Sequence, residues 1–245
     1  MRPLVPLFLV LLATSASAQF FSTDPADYER TLVPVAGRTA GLYGSEWTAT
    51  VSGYADFGTN FVVPYCTRGI ICGDEYFLKG ATPSTFAVNA QVSGSFLYVL
   101  KTAVDNVDLV VHVRDDAHPA DSNVDLPVVR ARDFHPNIRL LDVPIASSVR
   151  SMLRVYGDHA GTVTVRTLDA SGNQIGTTSL QLAGDFVANG FVITPATAAL
   201  PVYFDGQSSV MLDITSDTGA PIWAFVSVTN NDTQHINVIV PFRKD

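Results

Sequence analysis

The residues whose spacing bears most directly on chemistry are Asp121-Ser122-Asn123-Val124-Asp125. Their oxygen-bearing side chains alternate as they do at the opening of a calcium-binding loop. The sixth position of such a loop is Leu126 instead of Gly, and the twelfth is Arg132 instead of Glu. The sharp turn and the bidentate ligand of an EF-hand are therefore both missing. Asp121, Asn123 and Asp125 remain a calcium candidate of the loop-carboxylate kind, with Asp105, Asp115 and Asp116 as possible neighbours. The alternative is a solvated turn whose Asp and Asn side chains bond their own backbone.

Other chemistries leave less trace. Gly-x-Ser-x-Gly, Ser-x-x-Lys, His-Glu-x-x-His and a Gly-rich phosphate loop are all absent from the sequence. The five histidines (His112, His118, His135, His159 and His235) sit beside turns or on polar strand positions, as surface histidines do. Acid–base hydrolysis of glycosides would fall mainly to Asp, because Glu29, Glu46 and Glu75 are the sole glutamates. The Asp residues lie mostly in turn-like contexts, and no pair among them is privileged. No catalytic or cofactor-binding residue is assigned. Trp47 and Trp223 could stack on a sugar, but both alternate with apolar strand residues, so core packing is expected of them. Asn231-Asp232-Thr233 matches a glycosylation sequon, which matters only in a eukaryotic secretory pathway.

Cys66 and Cys72 are the two cysteines of the chain. A close, even pair in an oxidising compartment reads as a disulfide, closing a small loop that contributes ~2 kcal/mol. A zinc half-site would need more Cys or His at short spacing, and a redox motif would need two intervening residues.

The elements that position these residues are strands. Of 23 acidic residues 20 are Asp, and of 15 basic ones 12 are Arg, so the helix-favouring Glu and Lys are scarce. Trp47–Ala55, Phe61–Val63, Phe96–Val104, Leu109–Val113, Met152–Tyr156, Val163–Val165, Ile175–Leu182, Val210–Thr215, Trp223–Thr229 and His235–Val240 read as strands. Turn signals such as Asp169–Asn173 lie between them. A single helical turn is expected at Ala196–Leu200. The expected class is all-β, with two immunoglobulin-like or similar antiparallel β-sandwich units. Trp47 to Pro64 and Trp223 to Pro241 follow the same order of Trp strand, polar turn, apolar strand and proline stop. This places the units at 31–145 and 146–245, after an N-terminal extension at 19–30.

Met1–Ala18 has the three parts of a secretory signal peptide. Arg2 precedes the apolar run Leu4–Ala13, and Ala16-Ser17-Ala18 is a small-x-small cleavage site. The run is shorter than the ~20 residues of a membrane span, and no other long apolar run follows. The expected location is secreted, periplasmic or on the cell surface. A net charge of −8 speaks against nucleic acid and against an anionic membrane surface. With 47% hydrophobic residues the chain can bury a full core.

The segments Leu32-Val33-Pro34-Val35 and Gly41-Leu42-Tyr43-Gly44-Ser45-Glu46-Trp47 resemble the start of a group of secreted bacterial all-β proteins of uncharacterised function. Ile222–Asn230 is similar to the closing hairpin of that group, and a Cys pair after the second strand is shared with it. The resemblance implies secretion and a sandwich fold, and brings no catalytic residue with it. The function expected is that of a secreted non-catalytic protein for adhesion, surface or matrix binding, its partner an extracellular glycan or protein. The alternatives are a secreted hydrolase with a loop-assembled Asp/His site, and an outer-membrane β-barrel. Mass spectrometry of the exported protein should find Gln19 at its N-terminus and a two-proton deficit across Cys66 and Cys72. Free thiols in the native protein would refute the disulfide.

Overall fold

A computed structural model describes residues 25–40, 44–55, 59–64, 76–79, 83–86, 94–118, 123–184, 193–201 and 207–242. Alternation builds the strands. In Glu46–Ala55 the small and apolar Ala49, Val51, Gly53 and Ala55 are buried, while the residues between them are half-exposed. Gly161–Leu168 repeats this with Val163 and Val165 inside and Arg166 exposed.

The described residues form strands β1 (Tyr28–Val33), β2 (Gly37–Ala40), β3 (Glu46–Ala55), β4 (Thr59–Pro64), β5 (Tyr76–Lys79), β6 (Ser84–Phe86), β7 (Ser95–Leu100), β8 (Val107–Asp115), β9 (Asn123–Pro127) and β10 (Val129–Arg130). They continue as β11 (Asn137–Pro144), β12 (Val149–Gly157), β13 (Gly161–Leu168), β14 (Gln174–Leu182), β15 (Ala196–Ala199), β16 (Ser209–Ser216), β17 (Ile222–Asn230) and β18 (Ile236–Ile239). Four antiparallel sheets result. Sheet I runs β10-β1-β7-β4-β5, and sheet II runs β2-β3-β8-β9 with β6 also on β3. Sheet III runs β11-β16-β13-β14, and sheet IV runs β15-β12-β17-β18. Strands therefore change over from the first two sheets to the last two between Arg130 and Asn137. No helix among the described residues is long and apolar enough to cross a membrane.

The chain is thus all-β and antiparallel, as its composition implied. The sheets are not clearly two separate sandwiches, because they stand in a ring like four blades of a propeller. Strand β17 shows why. Its Ile222, Ala224, Val226 and Val228 join a core with sheet III. Its Trp223 and Phe225 point the other way, into the core of sheets I and II. A near-continuous apolar run is what a strand buried on both faces requires. Ala196–Leu200 differs from expectation too: Ala196–Ala199 pairs with Val155–Met152 as a strand. Five residues are too few to nucleate a stable helix, and sheet pairing plus burial of Ala196 and Ala198 decides the outcome.

Tyr156, Trp223 and Phe225 form the knot between the halves. Their ring centroids lie 5.7–6.3 Å apart. The Tyr156 hydroxyl donates to the Pro34 carbonyl, and Arg30 pairs with Asp158 close by. Gly94 lets the chain approach here, since a Cβ on it would stand 2.7 Å from the Ile193 carbonyl oxygen. Burial pushes the Tyr156 phenol above its usual range, against a smaller opposing pull from Arg154, so it keeps its proton and its bond. Tyr156→Phe strands the buried Pro34 carbonyl and should lower unfolding free energy by about 1–2 kcal/mol. A chemical-denaturation midpoint that does not move would show this bond to be dispensable.

Candidate functional site

Of the calcium candidates, Asn123 and Asp125 fall within the described residues. Asp121 and Ser122 lie outside the described residues, as do Cys66 and Cys72. Asn123 is exposed at the start of β9, and Asp125 bonds His112 Nδ1 at 2.6 Å across the β8–β9 ladder. Asp105 is taken by Arg130, whose hydrogen bond and charge hold its carboxyl below the usual range. Asp116 accepts from Thr48 at 2.6 Å and from Arg114 Nε at 2.7 Å. Among the described residues no three His, Cys, Asp or Glu side chains group as metal ligands. Asn231 of the sequon is engaged by its side chain, donating to the Ser147 carbonyl and accepting from Arg150.

Asp115 is the fully buried carboxylate of this region. Burial alone would raise its pKa, but donors outweigh that cost. The Glu46 N–H at 2.8 Å, His118 Nδ1 at 2.9 Å and the Ala117 N–H at 3.0 Å all meet it. The buried Ser45 hydroxyl also favours the ionised form, although it stands outside full hydrogen-bond geometry. The carboxyl is drawn down to about 2. Its role here is to tie the segment before β3 to the end of β8.

A larger feature, which the sequence reading missed, lies between the halves. A cleft of about 690 Å³ is walled by Pro127–Val129 of the first half and floored by the outer face of sheet III. The tail residues Val240–Phe242 close one side. Its floor follows from strand alternation: Ile138, Leu212 and Val165 face the core, so Arg139, Asp213 and Arg166 face out. These three stand in register across β11, β16 and β13. Arg139 grips Asp213 with Nε and Nη2 at 2.5 and 2.8 Å. Arg166 is exposed, and its side chain forms no hydrogen bond or ion pair among the described residues.

The walls are pinned rather than loose. His135 and Ile222 exchange backbone hydrogen bonds of 2.9 and 3.0 Å, and the Ser216 N–H reaches the Pro136 carbonyl at 2.9 Å. The Phe242 N–H donates to the Arg139 carbonyl at 3.3 Å and leaves its ring 71% exposed beside the cleft. Comparison with known proteins adds no family. No family model matches the chain, and no curated protein does either.

Of the two tryptophans, Trp223 is buried and Trp47 is partly buried against the same core, consistent with their strand patterns. One edge of Trp223 nevertheless reaches the cleft. Asp115 makes a test of its own. Its folded pKa lies below the ordinary 3.8, so the stability it contributes is full above about pH 4 and is lost as pH falls toward 2. Asp115→Asn should cost about 2 kcal/mol at neutral pH. The difference between wild type and variant should shrink on acidification through that window. A difference that stays constant from pH 5 to 2 would remove the charge from the account.

Proposed function

We propose that this is a secreted, non-catalytic binding protein, serving adhesion, surface or matrix binding, and that its ligand seats in the cleft between the halves. The observation that carries the reading is the cleft itself. Its volume falls within the roughly 300–1,000 Å³ of small-molecule sites, and apolar walls meet a few fixed polar groups in it. A glycan branch or a segment of an extracellular protein fits such a groove equally in size. The Met1–Ala18 pattern and the resemblance to secreted bacterial all-β proteins support export. Within this reading the sheets make two sandwich-like units that share strand β17 between their cores, and residues 131–136 form the seam.

The hydrolase alternative has one observation on its side. Asp115 with His118, and Asp125 with His112, are carboxylate–imidazole pairs of the kind that orient a general base. Neither ring bonds a hydroxyl among the described residues. Turnover of ester or glycoside substrates that is lost in His118→Ala would favour that alternative.

Nile red, a neutral apolar dye, tests the cleft. Its emission should rise and shift to the blue, saturate near one dye per protein, and fall away in Thr215→Trp and Asn137→Trp. Both variants fill the floor from outward-facing positions. Failure of the dye to bind wild type would overturn the cleft as a ligand site.

A further inference from the structure

We propose, resting on the cleft reading, that the ligand class is an amphipathic carboxylate whose acid group seats on Arg166 and the free side of Arg139, with its apolar body against Val128, Trp223 and Phe242. The case begins with charge pairing in the floor. Asp213 spends both oxygens on Nε and Nη2 of Arg139, leaving the Nη1 edge of that guanidinium uncommitted in this pair. Arg166 flanks Asp213 on the other side in register, yet no ion pair of 4 Å or less joins them. Two cations therefore border one carboxylate that is already engaged. A fork of N–H donors left without a partner at the floor of a concave site matches a carboxylate in shape and in charge.

The other titratable groups facing the cleft do not cancel this. Asp133, on the wall of the first half, is half-buried and has an interaction of its own. His135 is exposed, and its backbone is committed to Ile222. The same cleft also carries apolar surface: Val128, Trp223 and Phe242 line it, and the Phe242 N–H donates to the Arg139 carbonyl. Phe242 is 71% exposed beside the floor. Guanidinium donors and apolar surface in one cleft select for a molecule that carries both an acid group and an apolar body. The overall charge of −8 works against anions at long range, so selection must come from these short contacts.

Octanoate, octanol and octylammonium separate the possibilities, since they share a chain and differ in head group. Isothermal titration calorimetry of the full mature chain should show octanoate binding at least roughly tenfold tighter than octanol, with octylammonium weakest. Arg166→Gln should bring octanoate down to the octanol level and leave octanol unchanged. Arg166→Lys should restore part of the preference. Nile red run on the same samples separates the two levels of the argument. If octanoate binds no tighter than octanol, or its preference survives Arg166→Gln, while Nile red still binds, the carboxylate assignment falls and the cleft stands. If neither Nile red nor any of the three probes binds, both fall. A preference for octylammonium would make Asp133 and Asp213 the governing groups and overturn the assignment.

Discussion

Burial of one strand on both of its faces organises this molecule. Strand β17 is flanked by β12 and β18 in its sheet and by a different core above and below it. Every side chain from Ile222 to Val228 is removed from water. At about 25 cal/mol per Å² of apolar surface, each large side chain in such a strand contributes ~1.5–3 kcal/mol. That gain is shared between the halves, which also meet through Tyr156, Ile193 and Val238. The cleft depends on the same strand, because Ile222 anchors His135 and so sets how far the wall of the first half stands from sheet III.

Charge in this protein serves mostly to hold register. Arg130 with Glu29, Arg139 with Asp213 and His112 with Asp125 each join neighbouring strands. Pairs of this kind at a surface add less than about 1 kcal/mol. Their value lies in penalising a slipped alignment, which would set like charges side by side. Against that background an outward arginine with no partner has a different meaning from one in a ladder, and the functional reading turns on that contrast at Arg166.

How much of this was legible in the sequence differs from element to element. The alternation at Ala49, Val51 and Ala55, and at Val163 and Val165, reported both strand and facing. The turn at Asp169–Asn173 was legible because an Asp side chain there takes the N–H groups of Ser171 and Asn173. The double burial of β17 was not, because an unbroken apolar run says that both faces are dry without saying what lies on each. Ala196–Ala199 was misjudged because short alanine segments carry little local preference and take the structure of their neighbours. The Arg139–Asp213–Arg166 row lay out of reach for another reason. Its members come from three strands spread over more than seventy residues, and cross-strand register is set by the fold.

The position of β17 near the end of the chain also bears on the order of assembly. Sheets I and II are complete in sequence by Arg130, yet their core holds seats for Tyr156, Ile193, Trp223 and Phe225. At synthesis rates of ~5–20 residues per second, the first half waits several seconds for its last aromatic side chains to emerge. During that interval it exposes an apolar surface of its own, shaped to fit one particular strand. A holding chaperone, or passage of the whole chain in an unfolded state, would protect it until Trp223 arrives.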